Sequence, residues 1–107
     1  VVLHIGFAEE KIKKMYKNKE EYHMSEQTLD PKILGEVISE YRKKKNMSME
    51  VLSGFAVVGR AQIVQIERGL RTPSKATLRN ICSALDVKMS VLTQEGERRM
   101  NENKSEQ

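Results

Sequence analysis

Residues 48–69, SMEVLSGFAVVGRAQIVQIERG, have the clearest structural pattern in this 107-residue chain. Ser48 has a side chain that can accept a hydrogen bond from the first amides of a helix, so it predicts an N-cap. The residues that follow predict a short helix that ends near Phe55. The side chains expected to be buried on it are Val51, Leu52 and Phe55.

A second helix is predicted after a corner at residues 56–58. Gly59 is a tolerable N-cap for it, and Ile63 and Ile66 recur at the spacing of a buried helical face. Gly69 can adopt the left-handed conformation that closes a helix. The stretch therefore predicts two short helices joined by a tight corner, the second with a polar outer face.

Another helix is predicted before this pair, from about residue 31 to residue 45. Asp30 is its N-cap, and Pro31 takes the first helical position, where a missing N–H costs nothing. Its buried stripe consists of Leu34, Val37, Ile38 and Tyr41. The helix ends in a basic run, residues 42–45, which suits a helix C-terminus and can also contact phosphate. A solvated helix end is the alternative interpretation of the adjacent lysines.

Two more helices are predicted towards the C-terminus. A turn at residues 72–73 leads to Ser74, which caps a fourth helix. The buried face of that helix consists of Leu78, Ile81, Cys82 and Leu85. Ser90 is predicted to cap a short fifth helix, whose first apolar residues are Val91 and Leu92. From Gly96 the polar chain is expected to fray or to be disordered.

The composition indicates one small, mainly helical domain. Hydrophobic residues make up 38% of the chain and charged residues 32%, and no apolar run approaches the length of a membrane span. Cys82 cannot form an internal disulfide, and with only His4 and His23 beside it no zinc ligand set is available. We therefore expect a cytoplasmic protein with no metal, no cofactor and no membrane partner.

The positive charge is concentrated in the middle of the chain. Residues 32–92 hold 11 basic and 5 acidic side chains, whereas residues 1–31 and 93–107 each carry a net charge of −1. A compact basic unit favours a polyanionic partner. With no Trp, 3 Tyr and 2 Phe, a surface that stacks on single-stranded bases is not expected.

Residues 1–29 have the weakest pattern. The segment VVLHIGF has the composition of a strand, and a charged helical pattern follows it. Two interpretations stay open: an arm that packs on the domain or on a partner subunit, or a translated leader upstream of a start at Met24. The genomic DNA and the intact mass of the native protein distinguish them.

The pattern from about residue 34 to residue 92 resembles the lambda-repressor-like, Cro or xenobiotic-response-element type of helix-turn-helix domain. The residues that carry the resemblance are Leu34, Gly35, Arg42, Ser48, Leu52, Ile63, Ile66, Glu67, Arg68, Gly69, Pro73, Ser74, Leu78, Ile81, Ala84, Leu85 and Val87. The resemblance implies an all-α, five-helix DNA-binding domain over residues 30–95. Residues 1–29 are then a flexible or arm-like extension, and residues 96–107 a short polar tail.

In this family the third helix lies in the DNA major groove. Carried over by position, the base-reading residues are Arg60, Ala61, Gln62, Val64 and Gln65. Their chemistry agrees, because Arg can donate two bonds to guanine and Gln can pair with adenine, while Ala packs on a thymine methyl group. For each of them an ordinary exposed helix residue is the alternative.

The resemblance also implies phosphate contacts and one structural ion pair. Helix starts and basic side chains position the protein on the backbone, and the candidates are Lys43, Lys44, Lys45, Ser48, Arg68, Arg71, Ser74 and Lys75. Arg42 is expected to pair with Glu67 and to fix the angle between the first and third helices. The alternative for Arg42 is one more phosphate contact.

Three positions depart from the family pattern. Met49 stands where a Gln is usual and cannot make the polar backbone contact expected there. Val57 stands where a corner Gly is usual, so the corner either takes another conformation or stores strain. Ser53 replaces the usual Ala and still permits close helix packing.

The leading hypothesis for function is a sequence-specific transcriptional regulator, a repressor that binds double-stranded DNA as a homodimer on a palindromic operator. Its dimer surface could involve Val91 and Leu92, or the N-terminal arm. A protein-interaction module with a degenerate helix-turn-helix is the alternative, and an antitoxin-type regulator would bind both operator and a toxin partner. An enzyme is not expected, because no nucleophile and base stand in a recognisable arrangement.

Overall fold

The computed structural model describes residues 29–105 of the chain, and all regular structure in that range is helical. The five helices are α1 (Pro31–Lys44), α2 (Met49–Ala56), α3 (Arg60–Glu67), α4 (Lys75–Ala84) and α5 (Met89–Ser105). The predicted all-α, five-helix class is confirmed. Predictions made for residues 1–28 lie outside the described residues. Within residues 29–105 no helix is both long and apolar enough to cross a bilayer.

Three of the helices begin at the side-chain caps predicted for them. The Asp30 carboxylate accepts from the Lys32 amide at 2.9 Å. The hydroxyls of Ser48 and Ser74 each accept, at 3.1 Å, from the amide three residues further on. Each cap satisfies one amide that has no partner inside its own helix. Local sequence therefore fixes where α1, α2 and α4 start.

The first four helices end in the same way, with one residue in the left-handed conformation. These residues are Asn46, Val57, Gly69 and Asp86, with φ values of 54°, 54°, 75° and 53°. In each case the next amide bonds back to the carbonyl five residues earlier, as Leu70 does to Gln65 at 2.9 Å. This is the pattern of a Schellman motif. Asn, Asp and Gly tolerate this conformation, whereas Val does not.

A single core forms where the five helices meet. Its members that are almost fully buried are Val37, Ile38, Leu52, Ile63, Ile66, Ile81, Leu85 and Leu92. Cys82 lies in the same core, and burial raises the pKa of its thiol to about 11. The thiol therefore stays protonated at neutral pH and acts as a small core residue, as predicted.

The prediction that Val51 and Phe55 are buried is wrong. Val51 is 45% exposed and Phe55 is 69% exposed, and only Leu52 and Ala56 of α2 are buried. An eight-residue helix presents one narrow face to the core, and residues four apart share a face. Leu52 and Ala56 occupy that inward face, so Val51 and Phe55 lie together on the outer one.

Helix α5 is longer than predicted and starts earlier. The amides of Val91 and Leu92 both donate to the Lys88 carbonyl, at 3.0 and 3.1 Å. Ser90 therefore lies inside the first turn and is not the cap. The helix continues to Ser105, through the segment after Gly96 that was predicted to fray. Leu92 is fully buried, so it cannot serve as a dimer surface in this fold.

Ion pairs explain why the distal part of α5 is helical. Arg98 and Arg99 both bond to Glu95, and Arg98 also bonds to Glu102 one turn further on. Pairs three and four residues apart stabilise a helix. Arg99 also reaches the Glu40 carboxylate on α1. This contact joins parts of the chain that are 59 residues apart, which sequence periodicity does not reveal.

Candidate DNA-binding surface

Helix α3 has a buried face and an opposite face made of the predicted base-reading residues. Ile63 and Ile66 are buried in the core at 0% and 1% exposure. Arg60, Ala61 and Gln65 are exposed, while Gln62 and Val64 are half-buried. Four of the five therefore form a ridge on the face away from the core, namely Arg60, Ala61, Val64 and Gln65. Gln62 lies at the margin of that ridge, and both Gln62 and Val64 are partly covered by neighbours.

Arg42 and Glu67 hold α3 against α1 through a paired contact. The Arg42 Nε donates to Glu67 Oε2 at 2.8 Å, and Nη2 donates to Oε1 at 2.9 Å. The third guanidinium nitrogen, Nη1, donates to the Met47 carbonyl at 2.8 Å. The two side chains keep only 10% and 4% of their surface exposed. Arg42 therefore has a structural role. All three of its guanidinium nitrogens donate within the protein, so the alternative of a phosphate contact is not compatible with this geometry.

Two glycines allow α1 to lie directly on the end of α3. A Cβ at Gly35 would stand 2.3 Å from the Ile66 carbonyl oxygen and 2.6 Å from that of Glu67. A Cβ at Gly69 would stand 2.6 Å from Cα of Lys32. Only glycine fits at either position. The backbone contact and the ion pair together fix the orientation of α3.

The basic end of α1 lies beside the C-terminal end of α3, because Arg42 in its last turn binds Glu67. Lys43, Lys44 and Lys45 are all exposed there, and Arg68 is exposed just after α3. The Lys44 ammonium lies 5.7 Å from the centre of the Tyr41 ring. Four exposed cations thus follow the contact between Arg42 and Glu67 along the chain, three at the end of α1 and one after α3.

The starts of α2 and α4 present the remaining candidates for phosphate contact. Ser48 and Ser74 are exposed N-caps, and Lys75 and Arg71 are exposed beside the start of α4. The first amides of each helix point out of the helix start, and the helix dipole favours an anion there. This geometry is compatible with phosphate at both places.

A finding that the sequence did not predict is how the corner between α2 and α3 is held. Val57 adopts φ 54° and ψ 45°, and its side chain is 87% exposed. The Ser53 hydroxyl donates to the Val58 carbonyl at 2.5 Å, and the Val58 amide donates to the Ser53 carbonyl at 3.2 Å. Both bonds join Ser53 to Val58, so Ser53 holds the residue that directly follows the strained Val57. The replacement of Ala by Ser at this position was the available signal.

Comparison with known proteins supports the same fold. A family model described as HTH_3, helix-turn-helix, matches residues 38–92. The chain belongs to the HTH_3 helix-turn-helix family. It is thus a DNA-binding transcriptional regulator of a family that is not enzymatic. No curated protein sequence matches it significantly.

Several solved structures share this HTH_3 fold. The restriction-modification controller protein C.AhdI from Aeromonas hydrophila is 28% identical, with a TM-score of 0.58, and the match covers 59% of this chain and 96% of that one. The wild-type controller protein C.Esp1396I is 27% identical, with a TM-score of 0.62 and coverage of 70% and 95%. The clp gene regulator ClgR from Corynebacterium glutamicum, at 21% identity and a TM-score of 0.68 over 76% and 86%, shows likeness of fold alone.

Two residues at the start of α2 add to the description of this HTH_3 domain. Met49 is partly buried and packs against the core, which agrees with the expectation that it cannot make the polar contact of the usual Gln. The side chain of Glu50, which was assigned no role, lies beside the first residue of α3: its Oε1 is 3.7 Å from Arg60 Nε. No motif signals such a pair across a corner.

Proposed function

We propose that this HTH_3 protein is a repressor that binds a palindromic operator in double-stranded DNA as a homodimer. The observation that carries the proposal is the outward ridge of α3, which is polar at Arg60 and Gln65 and is held rigidly by α1. A rigid ridge of this kind can enter a major groove without reorganising first. Such a protein would act in the cytoplasm.

Base reading is assigned to the ridge itself. Arg60 can donate two hydrogen bonds to O6 and N7 of guanine, and Gln62 or Gln65 can pair with N6 and N7 of adenine. Ala61 and Val64 can pack on a thymine methyl group. The half-buried position of Gln62 makes Gln65, which is exposed, the better candidate of the two.

Phosphate contacts are assigned to the cations and helix starts around the ridge. They fix the register of the protein on DNA and carry no sequence information directly. The proposed set is Lys43, Lys44, Lys45, Ser48, Arg68, Arg71, Ser74 and Lys75. Their positive charge also predicts an affinity that falls steeply with salt.

Dimerisation is proposed because one reading helix covers few base pairs. Two subunits whose α3 helices are separated by one turn of DNA, ~34 Å, would read a palindrome. The similar proteins C.AhdI and C.Esp1396I are named as controller proteins, which supports regulation as the biological role. Of the two fifth-helix residues considered for the dimer surface, Val91 is exposed and remains available.

The experiment is selection of bound duplexes from a random library at two salt concentrations, followed by measurement of complex mass. We expect an enriched palindrome, two chains for each duplex and weaker binding at the higher salt concentration. Arg60→Ala should abolish the enrichment, whereas Arg79→Ala, which removes the same charge from α4, should preserve it. Wild-type protein that enriches no sequence would refute DNA reading. An enriched asymmetric site bound by one chain would refute the dimer.

A further inference from the structure

Glu50 and Arg60 form an ion pair that joins the two helices of the motif across the corner. Glu50 lies in the first turn of α2 and Arg60 is the first residue of α3. Arg60 Nε is 3.7 Å from Glu50 Oε1, and the side chains are 62% and 76% exposed. The pair is therefore accessible to a ligand that approaches α3.

Glu50 approaches the Arg60 guanidinium on its Nε side, which leaves the other two nitrogens available to contact a base. A guanidinium has five N–H donors in a planar fork. The Glu50 carboxylate lies nearest to Nε, at ion-pair distance and beyond hydrogen-bond distance, so the two Nη groups at the outer end remain open to O6 and N7 of a guanine. A free Arg side chain samples many rotamers, and ordering it on DNA costs conformational entropy. A carboxylate on the neighbouring helix reduces that cost.

We propose that Glu50 is a positioning residue that orients Arg60 towards guanine and so sharpens base preference at one operator position. This inference rests on the proposed function, since it assigns a specificity role within the same surface. Glu50 would not touch the base itself. It would act through Arg60, and it would lower the affinity of the domain for DNA of any sequence because its charge repels phosphate.

Two simpler roles for Glu50 predict experimental results that differ from those of a positioning role. An acidic residue in the first turn of a helix stabilises the helix through its dipole, and loss of that role would lower the melting temperature without changing base preference. Simple repulsion from the DNA backbone would change the affinity for all sequences alike. Only a positioning role changes the ratio between a guanine and another base at one position.

The test uses the full chain and the duplex selected for it, with each of the four bases placed at the position that depends on Arg60. Glu50→Gln removes the charge with little change in shape. Glu36→Gln is the matched control, because Glu36 is an exposed acid on a different helix, α1, whereas the ion pair of Arg60 is with Glu50. We expect Glu50→Gln to lower the preference for guanine roughly two- to fivefold, the range for exposed ion pairs. Binding to random duplex should be tighter, because the charge that repels phosphate is gone.

A double-mutant cycle and a measurement without DNA complete the test. In an Arg60→Ala background, Glu50→Gln should leave base preference unchanged, since no guanidinium remains to be oriented. In the free protein, ¹⁵N relaxation of Arg60 Nε should show a more mobile side chain in Glu50→Gln than in the Glu36→Gln control, because the carboxylate that restricts the guanidinium is gone.

The outcomes separate this inference from the proposed function. If wild type prefers guanine, Arg60→Ala removes the preference and Glu50→Gln keeps it fully, then the positioning role is refuted and DNA reading stands. An equal loss of preference in Glu36→Gln would also refute it. If the wild-type chain selects no sequence, both DNA reading and the positioning role of Glu50 are refuted, because there is then no base preference for Glu50 to sharpen.

Discussion

The guanidinium of Arg42 donates to both carboxylate oxygens of Glu67, and these two residues lie 25 positions apart on α1 and α3. The pair is almost fully removed from water, and the third guanidinium nitrogen is satisfied by the Met47 carbonyl. It follows that neither partner can be removed alone without leaving a buried charge unpaired.

Glu67→Ala should therefore destabilise the domain by about 3–5 kcal/mol, the range for breaking one side of a buried pair. Urea unfolding followed by circular dichroism measures this. The double variant Arg42→Met with Glu67→Ala should be destabilised by much less than the sum of the two single variants, because no unpaired charge then remains in its core. A single-variant loss below about 1 kcal/mol would show that the pair is solvated in solution.

The packing of α1 on α3 predicts opposite effects for alanine at two helical glycines. Gly35→Ala places a methyl group against the Ile66 and Glu67 carbonyls, and such overpacking should cost about 1–3 kcal/mol or more. Gly54→Ala is the matched control: apart from its chain neighbours and the backbone of its own helix, no atom lies within 4 Å of the added Cβ. It should stabilise α2 by about 0.5–1 kcal/mol. Thermal melting of both variants decides this, and a Gly35→Ala protein as stable as wild type would contradict the close contact.

Val57→Gly should stabilise the corner by about 1 kcal/mol. A β-branched residue in the left-handed conformation costs roughly 1–2 kcal/mol, and glycine removes this strain. Part of the stabilisation is offset, because glycine has a larger conformational entropy in the unfolded chain. Almost no packing is lost, because the Val57 side chain is 87% exposed. Asn46→Gly is the control at the same φ of 54°, where asparagine already tolerates the conformation and the gain should be smaller. A lower melting temperature for Val57→Gly would mean that the Val57 side chain has a stabilising contact.

These predictions also show which parts of the molecule the sequence could determine. The caps at Ser48 and Ser74 and the stop at Gly69 are local, since a few neighbouring residues specify each of them, and all three are confirmed. The burial of Phe55 was mispredicted, because which face of a short helix turns inward depends on the other helices. The length of α5 was mispredicted for a related reason: Arg99 bonds to Glu40, and that contact is long-range.

The candidate site also contains features that the sequence could predict and one that it could not. The sequence and its family pattern selected Arg60 and Gln65 as outward residues of α3, and both are exposed. Their contacts with bases stay predictions. The pair between Glu50 and Arg60 was missed, since it depends on how α2 and α3 cross at a corner whose Val57 conformation the sequence left open.

The contact between α5 and α1 predicts a dependence on pH. Hydrogen bonds from Arg99 hold the pKa of Glu40 below its usual value, and those from Arg98 and then Arg99 hold the pKa of Glu95 at about 2. A carboxyl with a lower pKa in the folded state stabilises the fold above its unfolded pKa, and this contribution is lost as pH falls through the folded value. Protection of the α5 amides from hydrogen exchange should therefore decrease between about pH 5 and pH 2.

Salt and one substitution provide the controls for this pH effect. Glu40 is half-exposed, so added NaCl should weaken the pH dependence by screening the pair. Arg99→Gln removes the hydrogen-bond partner of Glu40 and one of the two partners of Glu95, since Arg98 still bonds to Glu95. It should therefore reduce the pH dependence while leaving α2 and α3 folded. A wild-type α5 that is equally protected at pH 5 and pH 2 would show that the ion pairs do not hold it to α1.

The proposed DNA surface contains base-reading residues and phosphate-contacting residues, and substitutions in the two groups should reduce DNA affinity in different ways. Gln65→Ala should cost about 1–3 kcal/mol on the selected duplex and relax base preference at one position. Lys75→Ala should weaken binding to all sequences alike and reduce the slope of affinity against salt by about one. Fluorescence anisotropy with the selected duplex and its single-base variants measures both effects. If the two variants lose affinity in the same pattern, Gln65 does not read a base, because a residue that contacts only phosphate cannot change the preference between bases.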